Sequence, residues 1–325
     1  MRKNSTNKLM TLNFGQMCAA NLLLFASAYM LFPMFPFVMA EQVGIPLLQA
    51  GGMCLYFVAA MFAAGPFHAY LGDEYKRKHV LLYSMFVMLA AMLGYAFVDS
   101  YAKLLLLVLV QGASFGLATT AGITVAIDIT NSTRRSAGNM AYACSSRLGM
   151  LAGVGLGFWL YSLYGFRTTV YLSVAAGLIG MFFASRVYVA FRAPIGLSLC
   201  NIDRFILPRA LVPAVNLLFI AFVPGVLSPL LLSGDYIALP ALAILVLLSV
   251  PFTKMFVKLS HHCQRGTANT TCQLFIEGGF LAGLMAACYL VETSLLYYAA
   301  TVAAFLAVFC FCLLTYSYYK RKKVR

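Results

Sequence analysis

The residue in this chain best placed to handle a proton is a glutamate inside an apolar run. Glu277 lies in Gln273-Leu274-Phe275-Ile276-Glu277-Gly278-Gly279, near the middle of a stretch long enough to cross a bilayer. Ionisable groups at membrane depth are costly, so they stay neutral or face a wet cavity. A carboxyl of the second kind can exchange a proton in step with a solute cycle. Arg147 is another such charge, about two turns into its own apolar run. It either snorkels to the headgroups or pairs with an anionic part of a substrate. Gly149, Gly153 and Gly157 follow it at four-residue spacing. Small residues so spaced let a neighbouring helix approach closely, for static packing or for rocking between bundles.

Other chemistries find no support. No G-x-x-x-x-G-K-[ST] loop is present, and no nucleophile–base constellation stands out, so neither ATP drive nor an enzyme is expected. Nine cysteines form no CxxC pair, and most fall inside apolar runs, where cysteine acts as a small hydrophobe. His261-His262-Cys263 has no further ligands nearby and reads as a solvated loop. No cofactor or metal is expected.

The elements that position these residues are membrane helices. The chain has 325 residues, of which 62% are hydrophobic and 10% charged, with a mean hydropathy of +0.88. A soluble domain carries about a quarter charged residues. The long unbroken apolar runs predict an all-α polytopic protein and not a β-barrel. The net charge of +14 sits in short clusters between those runs. That placement fits positive-inside topology and anionic headgroups better than nucleic acid. Spans are predicted at about 10–40, 46–70, 80–98, 104–127, 139–163 and 168–190, then at about 210–232, 236–257, 267–290 and 293–317. Pro33 and Pro36 predict an irregular end to the first. The less apolar stretch 186–209 divides a six-helix bundle (1–195) from a four-helix one (196–325). Outer loops hold little basic charge beyond Lys103 and Arg167, so both termini are predicted on the cytoplasmic side of a cell membrane.

The densest charged cluster lies between the second and third spans, in Ala69-Tyr70-Leu71-Gly72-Asp73-Glu74-Tyr75-Lys76-Arg77-Lys78-His79-Val80-Leu81. Asp73 can pair with Arg77, and Asp128 at the inner end of the fourth span can reach the same basic group. Such ion pairs at a membrane boundary could latch one conformation. The stretch resembles the hairpin motif G-x-L-A-D-R-x-G-R-R-x-x-L of the major facilitator superfamily, in its drug and sugar efflux branch. Leu71, Asp73, Arg77, Lys78 and Leu81 fit; Ala69 and Lys76 replace glycines, and Glu74 replaces an arginine. Gln111-Gly112 is similar to the end of that family's R-x-x-Q-G motif, with Val108 in place of the arginine. Gly149, Gly153, Gly155 and Gly157 resemble its glycine-rich antiporter motif, with Val154 in place of the proline.

The resemblance implies a secondary transporter whose first, fourth, seventh and tenth spans line a cavity. That places Asn21, Gln111, Asn216 and Tyr297, with Arg147, among candidate substrate contacts. Asp73, Arg77, Lys78 and Asp128 become the candidate latch. It also implies a second half shortened by about two helices, a peripheral ninth span, and no eleventh helix against the hairpin. The function expected is proton-coupled efflux of a small amphipathic solute, with the solute, protons and lipids as partners. The alternative is a shortened, non-transporting relative serving as a membrane binding or scaffold protein.

Overall fold

The computed structural model describes residues 9–190, 195–261, 264–290 and 292–322, with residue 132 in backbone only. Arg2, Lys3, Lys8, Arg192, His262, Cys263, Lys323 and Arg325 lie outside the described residues.

Apolar runs become helices because, in lipid, the backbone must satisfy its own hydrogen bonds. The first span is α1 (Leu12–Tyr29), capped by Thr11, whose hydroxyl accepts from the Phe14 amide at 3.2 Å. It breaks around Pro33, and α2 (Phe35–Val43) restarts with Pro36 in its first turn and stops at the left-handed Gly44. The second span is α3 (Leu47–Ala64), continued through a 3-10 turn into α4 (His68–Glu74). Next come α5 (Arg77–Gly94) and α6 (Tyr101–Asp128). The hydrogen-bonded run α7 (Arg135–Arg186) holds the fifth and sixth spans, separated at Gly165, where φ is 74° and ψ is 177°. The later spans are α8 (Leu211–Leu227), α9 (Ala238–Leu259), α10 (Arg265–Leu290) and α11 (Thr293–Cys310), with α12 (Tyr316–Lys322) closing the chain. Eight helices are long and apolar enough to cross a membrane. Counting α7 as two and adding α1 gives ten passes among the described residues.

Glycines decide which helices meet. A Cβ on Gly149, Gly153 or Gly157 would strike the carbonyl oxygens of Leu22, Ala26 and Met30, so α1 lies directly along the first arm of α7. The last four passes repeat the arrangement. A Cβ on Gly279 or Gly283 of α10 would strike the carbonyls of Leu218 and Phe222 on α8. Thus α10 stands to α8 as the fifth span stands to the first. Across the molecule α3 packs on α10 and α9 packs on α7, a crossed pair of matching contacts.

This corrects the expected position of the ninth span. It is not peripheral: α10 sits between α8 and α3 and buries Glu277 completely. Its N-terminal Arg265 and Gly266 line one cavity with Gly72 and Arg77, so a helix does face the hairpin. By packing, the spans without a counterpart among the last four passes are the third and fourth, α5 and α6.

Candidate transport site and its gates

Five buried polar side chains meet where α1, α7 and α10 converge. Gln273 and Glu277 are one turn apart on α10 and therefore share a face. The Tyr29 hydroxyl donates to one oxygen of Glu277, and the Gln273 amide donates to the other. The Gln273 carbonyl in turn accepts from Arg147 Nη1. Ser146 Oγ lies 3.3 Å from both that carbonyl oxygen and Arg147 Nη1. Arg147 is only 1% exposed, so it does not snorkel to headgroups. Its Nε and Nη2 have no hydrogen-bond partner among the described residues. A buried cation and a buried carboxylate, joined through one amide, are an expensive arrangement, because desolvation outweighs what a bridged attraction returns. Such groups at membrane depth mark functional sites more often than structural ones.

The network lies between a polar approach and an aromatic seal. On the basic side, a cavity of about 430 Å³ is lined by Arg77, Arg135, Arg204 and Arg265, with Asp128 and Asp203. Asn139, 3% exposed, also lines it, and its Nδ2 lacks a partner among the described residues. About a turn or two deeper along α7 and α10, Asn21, Ser146, Asn269 and Gln273 surround a space of about 10 Å³, room for a single water. Beyond it the rings close. Tyr29 packs on Phe280 and Phe32 at 5.0 and 5.1 Å between centroids, and Phe32 packs on Phe57 at 5.2 Å. Gln111 lies within this closed side, accepting from the Tyr95 hydroxyl at 2.5 Å.

At the basic face the hairpin makes two separate attachments. Arg77 pairs with Asp128 at 2.5 Å, tying α5 to the end of α6, while Lys78 donates to the Ser185 carbonyl at 2.7 Å. Asp73 turns elsewhere. Its carboxylate accepts the backbone N–H groups of Ile195, Gly196 and Leu197 at 2.9–3.2 Å. The expected Asp73–Arg77 pair is therefore replaced by a grip on the segment joining the sixth and seventh spans.

The remaining candidates scatter. Asn21 donates to the Tyr142 carbonyl and to Ser145, both at 2.9 Å, which fastens α1 to α7 beside the small polar space. Asn216 binds the Ala307 carbonyl at 2.7 Å on the far side of α8. Tyr297 bonds Asp235 near the other membrane face, away from the network. Tyr29, Ser146 and Gln273 were not among the expected contacts. A signal for Gln273 exists, since it precedes Glu277 by one turn; Tyr29 comes from another helix and leaves none.

Comparison with known families settles the fold. The model described as Major Facilitator Superfamily matches residues 17–318, nearly the whole chain. The chain belongs to the Major Facilitator Superfamily. It is a multi-pass membrane transporter of that superfamily and not an enzyme. Among solved structures it is similar to the human organic anion transporter MFSD10 (TETRAN), at 14% identity and a TM-score of 0.59. The match covers 93% of this chain and 99% of that one, a likeness of fold. A search of curated protein sequences returns no match. The superfamily hairpin has glycine where this chain has Lys76, and Lys76 keeps a glycine-like backbone with φ at 63° and ψ at 125°.

Proposed function

We propose that this superfamily member exports a small amphipathic solute across a cell membrane in exchange for protons, with both termini cytoplasmic. The observation that carries the reading is the buried chain Tyr29–Glu277–Gln273–Arg147, which links helices of residues 1–195 to one of residues 196–325. Solute enters from the arginine-lined cavity and reaches Arg147, whose unpartnered Nε and Nη2 offer donors to an acceptor group. A donor on the same solute competes for ionised Glu277, so proton and solute occupy the carboxylate in turn. Glycine-seated contacts within each bundle keep α1 on α7 and α8 on α10 while the crossed contacts slide. Opening on the other side requires the rings around Tyr29 to part.

A thermal-shift screen of amphipathic solutes identifies a ligand, because binding to the native state stabilises it. Protein in liposomes should then accumulate that solute under an imposed pH gradient. Glu277→Gln should abolish gradient-driven accumulation while leaving solute exchange at equal pH. Accumulation by Glu277→Gln at the native rate would remove Glu277 from coupling. A folded protein that binds the solute without moving it would favour the scaffold alternative.

A further inference from the structure

In the first six passes, α6 packs beside α3, and α5 packs on α6 and braces it against α7. The matching helix among the last four passes is α9, which packs across onto α7 as α3 packs across onto α10. No described helix takes the place of α5 and α6 beside it. The space left is a groove of about 740 Å³ between α8, α9 and α11, walled by side chains such as Ile220, Ile244, Leu248 and Val308. Two lysines line its basic end, Lys254 and Lys258, one turn apart on α9. Neither belongs to an ion pair among the described residues.

We propose that this groove holds a phospholipid with an anionic headgroup. Its acyl chains lie along the apolar wall, and its phosphate sits between Lys254 and Lys258. Charge selects this occupant over a second copy of the chain. Copies sharing one topology would bring the lysines, and Lys320, Arg321 and Lys322 of α12, which packs on α9, together at the same membrane face. An anionic lipid relieves that charge instead of adding to it, and each lysine near an anionic headgroup is worth roughly fivefold in binding.

Native mass spectrometry of the full chain in detergent tests the site. The chain is titrated with phosphatidylglycerol or with phosphatidylcholine of the same acyl length. Retention of phosphatidylglycerol should exceed that of phosphatidylcholine by about tenfold or more. The double variant K254Q/K258Q should bring the ratio near one and should lower it more than K320Q/R321Q/K322Q, on residues of the adjoining α12 that do not line the groove. Val308→Trp, at an exposed wall position, should lower retention of both lipids. Equal retention by the native chain, or a preference that survives K254Q/K258Q, overturns the proposal. So does a dimer that Val308→Trp dissociates, which would make a second copy the occupant.

Discussion

Arg147 and Glu277 occupy equivalent places in two copies of one helix-packing device. Each stands two residues before a glycine that seats its helix on a partner's backbone: Gly149 against Leu22 of α1, and Gly279 against Leu218 of α8. A second glycine follows four residues later in both, at Gly153 and Gly283. The charges are opposite, and Gln273 joins them. The repeat thus delivers a cation and an anion to the interface from related positions.

That equivalence predicts the outcome of exchanging the charges. Arg147→Glu alone sets two carboxylates against one amide, and Glu277→Arg alone sets two guanidinium groups there. Each should cost about 3 kcal/mol, the scale for a buried charge left without its counterpart. The double exchange should recover more than half of the summed loss in thermal melts. A double variant as unstable as the two singles combined would show that the charges do not sense one another.

Adjacent glycines on α10 give a sharper packing test. A Cβ on Gly279 would meet the Leu218 carbonyl, whereas nothing among the described residues lies within 4 Å of one on Gly278. Gly279→Ala should therefore destabilise by about 1–3 kcal/mol through overpacking. Gly278→Ala should be neutral or stabilising by up to about 1 kcal/mol, from helix propensity. Equal melting shifts for the two would mean that α8 and α10 are not seated on these carbonyls.

The spans and the basic face were legible in the sequence because lipid sets hydropathy and charge placement segment by segment. The position of α10 was not. Order along the chain made it a ninth span; only the contacts of Gly279 and Gly283 place it as a counterpart of the fifth. The clue lay in the shared spacing of Arg147-x-Gly149-x-x-x-Gly153 and Glu277-x-Gly279-x-x-x-Gly283, once α7 and α10 are laid side by side. Tyr29 left no comparable trace, because its partner is 248 residues away. The Asp73 contact was equally hidden, since backbone N–H groups have no sequence signature.

Lys76 offers a stabilising substitution. Its φ of 63° with ψ of 125° is a conformation that side chains with a Cβ avoid and glycine adopts freely. The strained turn between α4 and α5 is held by the Arg77–Asp128 pair and the Lys78–Ser185 bond that follow it. Lys76→Gly should raise the melting temperature, with a gain of about 1 kcal/mol. A lowered melting temperature would mean that the lysine side chain itself supports the hairpin.

Asp73 and Arg77, four residues apart, should behave differently when altered. Arg77 and Asp128 form a partly exposed ion pair, and a double-mutant cycle should return a coupling of about 1 kcal/mol. Asp73 has three backbone donors from residues 195–197, and an asparagine there offers one acceptor oxygen where the carboxylate has two. Asp73→Asn should leave global melting nearly unchanged and speed hydrogen exchange at the Ile195, Gly196 and Leu197 amides. Transport should slow in the same variant, since the grip joins the hairpin to the segment between the two bundles. Protection of those amides unchanged from the native chain would show that Asp73 does not hold the segment. Faster exchange with full transport would show that the grip is structural and not part of the cycle.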